Sequence, residues 1–143
     1  MTVGRILERK GYGVETALAQ TTIAEISKQL QEQGIGAVII VDAKENLLGI
    51  VSERDIVRAL SSSGTAVLKK SAQEIMTDRV VTATEDEPVG EIMRLMTEGK
   101  FRHVPITRDA RLVGLVSIGD LVKHRIGELE NEAEAFRSYI LAA

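Results

Sequence analysis

The sequence predicts a mixed α/β chain of the α+β kind: two pseudo-symmetric β-α-β-β-α repeats, each a small mixed sheet with helices on one face, plus a helix at each end. Three observations predict it. A Gly-apolar-apolar-Ser-x-x-Asp segment occurs twice, as Gly49-Ile50-Val51-Ser52-Glu53-Arg54-Asp55 and as Gly114-Leu115-Val116-Ser117-Ile118-Gly119-Asp120. The similarity extends upstream in register, with Thr16-Ala17 recurring at Thr82-Ala83, Ile23 at Val89 and Glu25-Ile26 at Glu91-Ile92, an offset of 66 residues. Apolar residues alternate in both copies between short continuous runs, which suit buried strands, and spacings of three and four, which suit helices. A tandem duplication in one unit follows, divided as 1–65, 66–126 and a helical tail over 127–143.

Val3, Ile6 and Leu7 fall at helical spacing and Gly11 with Gly13 ends that helix; Val14 to Ala17 is then a short strand. Thr22 caps a helix carrying Ile23, Ile26 and Leu30, which Gly34 stops. Ala37 to Val41 is continuously apolar, the pattern of a strand covered on both faces. The polar turn Asp42 to Asn46 leads to Leu47 to Val51, so these two strands form an antiparallel hairpin. The strand at Val14 joins through a helix and pairs in parallel. Ser52 then caps a helix with Asp55 at its third position, the arrangement of a capping box. Ser61-Ser62-Ser63-Gly64-Thr65 reads as the loop between halves.

The second half replays this order. Ser71 to Met76 is a short helix answering the N-terminal one, Val80 to Thr84 a strand, and Pro88 opens a helix with Val89, Ile92, Met93 and Met96. His103 to Ile106 is the counterpart strand, and Pro105 within it predicts fraying or an edge position, since proline has no N–H for a ladder. The offset falls to 65 at Gly114, and the lost residue lies in the turn around Arg108 to Arg111.

Composition excludes several classes. Zero cysteines among 143 residues rule out disulfides, thiolate metal sites and a cysteine nucleophile. A net charge of −3 with both signs interspersed makes no basic patch for nucleic acid, and four aromatic residues are too few for base stacking. No apolar run approaches the roughly 20 residues of a membrane span, and no signal-peptide pattern opens the chain, so a cytoplasmic location is expected. Two histidines with no Ser-His-Asp or metal-ligand spacing leave no catalytic constellation, which points away from an enzyme.

A buried strand ending on a helix N-terminus is a ready anion site, because the first amides lack partners and the helix dipole is positive there. An acid just inside that helix suits ribose hydroxyls. The plainer reading is that Ser and Asp only cap their helices. Two such segments, each preceded by β-α-β, resemble a pair of cystathionine β-synthase (CBS) domains, also called a Bateman module, over about residues 2 to 126. The resemblance implies two clefts between the repeats, one or both taking an adenosine-containing ligand: AMP first, with ADP, ATP, NAD(H) or S-adenosylmethionine as alternatives. Carried over position by position, it makes Asp120 and Asp55 ribose acceptors and Ser117 and Ser52 phosphate contacts, with Ile118 beside them. Thr16, Thr82 and Ala83 then line the clefts from the first strands, and Ala37, Val38, Val104 and Pro105 from the second. Arg102-His103 supply positive character to the second cleft where Gly36-Ala37 stand in the first copy. Arg54 serves either cleft or only solvent, and His124 is expected at the surface.

The resemblance implies a regulatory module that signals energy or redox state to a partner on another chain, since no catalytic, transporter or DNA-binding segment is fused to the pair. The alternative is a structural dimerisation module with empty clefts. The tail presents Ile126, Leu129, Ala133, Phe136 and Ile140 as a narrow apolar seam that needs a covering surface. A second copy of the chain, giving a homodimer, is favoured over the N-terminal helix.

Overall fold

A computed structural model describes residues 1–142. It contains α1 (Val3–Lys10), β1 (Thr16–Leu18), α2 (Ile23–Gln33), β2 (Ala37–Val41), β3 (Leu47–Ser52) and α3 (Glu53–Ser63). A 3-10 turn over Gly64–Lys69 leads to α4 (Ala72–Ile75), β4 (Ala83–Thr84), α5 (Val89–Gly99), β5 (His103–Arg108), β6 (Arg111–Ser117) and α6 (Ile118–Ala142). The strands form two three-stranded mixed sheets ordered β1-β2-β3 and β4-β5-β6, each with one parallel and one antiparallel pairing. This is the α/β duplication expected.

The helix signals act as the sequence suggests. Thr22 and Glu25 close a reciprocal capping box on α2, and Gly34 ends that helix in the left-handed region at φ 62°. The hairpins differ as the lost residue requires: Asp42 Oδ1 accepts from the amides of Lys44 and Asn46, both at 2.9 Å, whereas Asp109 and Ala110, at φ 50° and 65°, make a tight two-residue turn. Both hairpins carry a register shift at the same place, Ile40/Val41 and Ile106/Thr107.

Two hydrophobic cores form, and the short helices are exchanged between them. Val3, Ile6 and Leu7 of α1 pack with Val89, Ile92, Val104, Ile106, Val116 and Leu121 of the second half. Val67 of the 3-10 turn and Ala72 of α4 pack instead with Ile23, Ile26, Val38, Ile40 and Val51 of the first half. Backbone bonds confirm the exchange: Val3 N–H reaches Glu87 O at 2.9 Å, and Ala72 N–H reaches Thr21 O at 2.7 Å. The N-terminal helix expected with residues 1–65 therefore completes the second core.

Expectations are corrected at five places. Ser61 to Ser63 continue α3 rather than forming a loop, because Leu60 O still finds the Gly64 amide, and the linker coils as a 3-10 turn that buries Val67. Val80 to Thr82 lie outside β4, which has only two residues. At Pro105 the edge position is corrected, since it sits in the central strand of its sheet, while the expected fraying is found on the β4 side. The equivalent Ile39 donates to Glu15 O at 3.1 Å across the β1 side, and Pro105 has no N–H to repeat that bond, so β4 begins only at Ala83 opposite Ile106. His124 is buried, not at the surface. The tail is not separate either: α6 runs unbroken through 25 residues, about 37 Å at the α-helical rise.

Candidate functional site

Each motif builds the same joint, in which an edge strand turns directly into a helix. In the first copy the Ser52 amide donates to Asp55 Oδ2 at 2.9 Å and the Asp55 amide donates to Ser52 Oγ at 3.2 Å. In the second the Ser117 amide donates to Asp120 Oδ2 at 2.8 Å and the Asp120 amide to Ser117 Oγ at 3.1 Å. All four residues thus cap their helices, and the carboxylate edge left over is half-buried in both copies. The helix starts are held in matching fashion, with Glu53 N–H on Gly36 O and Ile118 N–H on Arg102 O, both at 2.9 Å.

The glycine that opens each motif is where the exchanged helix presses on the sheet. A Cβ on Gly49 would stand 2.6 Å from Met76 Sδ and 2.7 Å from Thr77 O, and one on Gly114 would stand 2.7 Å from Leu7 Cδ2. Met76, which caps α4, and Leu7, within α1, are counterparts. In the first copy the backbone of Thr77 pairs with Ile50 through bonds of 2.9 and 3.0 Å, and Thr77 Oγ1 donates to Asp55 Oδ1 at 3.4 Å. In the second copy α1 is longer, and the ammonium of Lys10 takes that place: Nζ donates at 2.7 Å to both Leu115 O and Asp120 Oδ2.

The two motif ends face each other across the pseudo-twofold axis. The imidazole of His103 lies against Gly36 of the other repeat, where an added Cβ would be 3.2 Å from Nε2 and 3.8 Å from Glu53 Oε1. Arg54 Nη1 reaches across to Lys100 O at 3.4 Å. Burial, reinforced by the charges of Lys10 and Arg102, holds the His103 pKa below the usual histidine value against the opposing pull of Asp120 and Glu53. Burial pushes the Asp120 carboxyl up, but hydrogen bonds from Lys10 and Ser117 and the Lys10 charge outweigh it, leaving the pKa below the ordinary aspartate range.

The structure brings together Ser52, Arg54, Asp55, Arg102, His103, Ser117, Ile118 and Asp120 around these ends. Thr16 and Thr82 are exposed on and beside the first strands. The side chains of Ala37, Val38, Ala83, Val104 and Pro105 are buried, leaving only backbone groups to meet a ligand. Lys10, Thr77 and Glu53 join the site without having been singled out from the sequence. Lys10 lies 110 residues from Asp120, and only its place in the last turn of a helix marked it as a cation with a dipole to serve. Two shallow surface hollows, ≈ 480 and ≈ 410 Å³, lie elsewhere, at the hairpin end of the second sheet around Arg108. Arg108 lines both, and beside them Glu85 accepts from Tyr12 and Arg108. Among the described residues no group of His, Asp and Glu could hold a metal ion, and no helix is long and apolar enough to cross a membrane.

Comparison with known proteins gives one family. The profile of the CBS domain matches residues 6–62 and 72–127. The crystal structure of the CBS-domain-containing protein ATU1752 of Agrobacterium tumefaciens is similar at a TM-score of 0.86 and 41% identity, covering 87% of this chain and 99% of that one. The CBS domain pair of protein MJ0100, crystallised in complex with 5′-methylthioadenosine and S-adenosylmethionine, aligns at a TM-score of 0.80 and 34% identity over 90% of this chain and 98% of its own. The mitochondrial CBS domain-containing protein CBSX3 of Arabidopsis thaliana is 29% identical over 147 residues, 97% of this chain and 71% of that protein.

Proposed function

Because this chain belongs to the CBS-domain family, whose paired domains are regulatory modules, we propose that it is a non-catalytic sensor of an adenosine-containing ligand. The ligand sits in the clefts between the repeats, with AMP the first choice and ADP, ATP, NAD(H) or S-adenosylmethionine as the alternatives. Asp120 and Asp55 accept from the ribose, Ser117 and Ser52 meet the phosphates, and Arg102 with His103 favours phosphate in the second cleft. The observation that carries this reading is the doubled strand-to-helix joint, each copy holding a half-buried carboxylate beside a helix N-terminus, in a chain similar to a pair crystallised with two adenosine compounds. The occupied pair acts as a cytoplasmic homodimer on a separate regulated protein and reports energy or redox state. Along the sequence its units are residues 1–65, 66–126 and the tail 127–143, with α1 crossing to the second core and the tail continuing α6.

Isothermal titration with a panel of these nucleotides tests it. Asp120→Ala is expected to weaken binding by about 1.5–3 kcal/mol, roughly 10- to 150-fold, the loss for hydrogen bonds to a charged group. Thermal melting of the same variant shows how much the lost helix cap contributes. The alternative, a structural dimerisation module with empty clefts, draws on the fact that both aspartates already serve their own caps. Titrations without heat or competition for any adenosine compound favour it.

A further inference from the structure

The two motif carboxylates are in different charge states of environment. Asp55 faces the neutral hydroxyl of Thr77, and the nearest motif cation, Arg54, is turned away to Lys100 O. Asp120 is paired with an ammonium at 2.7 Å, and the pair is open to ligand, its side chains 40% and 25% exposed. The cause lies in the exchanged helices. After α4 the backbone itself covers the motif strand at Ile50, whereas α1 continues for a further turn and only the Lys10 side chain reaches the matching carbonyl, Leu115 O. That carbonyl and Asp120 together hold two of the three ammonium donors and leave one free.

Resting on the nucleotide reading above, we propose that Lys10 sets the charge selectivity of the second cleft. It cancels the carboxylate that holds the ribose, so that this cleft takes phosphate-bearing ligands, while the first cleft, with Asp55 and Glu53 uncompensated, takes neutral or cationic adenosine compounds. A carboxylate is needed for the ribose hydroxyls but repels a phosphate on the same sugar. For a separation of about 7 Å, roughly the span of a ribose 5′-phosphate, Coulomb's law at effective dielectric constants of about 20 to 80 gives on the order of 3- to 50-fold in affinity per unit charge. Lys10 belongs to α1 and acts here as a positioning and selecting group, distinct from Arg102 and His103 on the β5 side.

The test compares AMP, adenosine and S-adenosylmethionine by titration in an Asp55→Ala background, which leaves the second cleft to be read alone. Lys10→Met is expected to lower the AMP-to-adenosine affinity ratio by about 3- to 50-fold and to move S-adenosylmethionine in the opposite direction, and Lys10→Arg to restore the parental ratio. An unchanged ratio in Lys10→Met overturns the proposal. So does an equal loss for all three ligands, which marks a structural role, or an equal gain, which marks Lys10 as a competitor for Asp120. If no adenosine compound binds the unsubstituted protein, the nucleotide reading itself fails and this inference falls with it; binding with a flat charge dependence sinks this inference alone.

Discussion

His103 enters the site neutral. Burial first, then the neighbouring charges of Lys10 and Arg102, hold its pKa below the ordinary 6.5, so at pH 7 the neutral imidazole predominates and offers a phosphate a neutral N–H rather than a charge-assisted donor. For stability the sign is that of a depressed group: its contribution is complete above 6.5 and is lost as the pH falls through the lower folded value. An arriving phosphate reverses the balance by favouring the charged ring, so AMP binding at pH 7 is expected to take up protons, while adenosine binding takes up none. Titration in two buffers of different ionisation heat measures this uptake, and His103→Gln should abolish it. Release of protons, or uptake that survives the substitution, would show that His103 does not face the phosphate. His124 is a different case. Both its ring nitrogens are buried without a hydrogen-bond partner, Glu128 Oε1 standing 3.4 Å from Nε2 but out of line. A buried unpaired polar group costs about 1–3 kcal/mol, so His124→Leu, close in volume, is expected to raise the melting temperature. A drop would mean that the imidazole does find a partner in solution.

At the scale of elements, the exchanged helices and the motif glycines are one device. Each glycine opens the strand to a side chain of the other half's short helix, Met76 at the end of α4 on Gly49 and Leu7 within α1 on Gly114. The two contacts differ in what must yield. At Gly114 only the flexible end of Leu7 is in the way, but at Gly49 the Thr77 carbonyl is backbone held by two bonds to Ile50. Gly49→Ala is therefore expected to destabilise by about 2–3 kcal/mol and Gly114→Ala by about 1 kcal/mol, within the usual range for overpacking. Chemical denaturation of both variants checks the order; equal losses would show that the backbone at Thr77 moves as easily as a leucine side chain. Because Gly49 lies three residues before Ser52, the costlier substitution should also loosen the first motif.

For the whole molecule the open question is what covers α6. Only Leu121 and His124 of its residues are buried, and beyond them Phe136 and Ile140 are 66% and 55% exposed. The N-terminal helix cannot cover this seam, since Val3, Ile6 and Leu7 are spent in the second core. A row of large apolar side chains along a helix of this length marks an association surface, and a twofold dimer is the simplest closed solution. Burying Phe136 and Ile140 in such a dimer contributes roughly 1.5–3 kcal/mol per side chain. Phe136→Asp is expected to shift sedimentation toward the monomer while nucleotide titrations remain unchanged. A monomeric parent at micromolar concentration would refute the dimer and leave the tail to a different partner.

Local chemistry was enough to read the repeat, its strand order and most helix limits, because capping boxes such as Thr22 with Glu25, the stop at Gly34 and the alternation of period act within a few residues. The same holds for the motif joints, where Ser and Asp find each other three positions apart. What pairs across the chain was not legible. Nothing near Val3 or Ala72 says which of two similar cores each short helix will fill, because both cores are apolar and the contacts that decide it lie far along the chain. His124 could not be placed from its own surroundings, since its burial depends on α5 and α1 packing over α6. The shortening of β4 followed from Pro105, a residue of another strand that has no N–H to give. Most consequential for the site, the aspartates repeat in sequence but not in environment. Only the fold decides that Asp120 meets an ammonium and Asp55 a hydroxyl, because charge pairing is set by distance in space, and here that distance joins the end of the first helix to the start of the last.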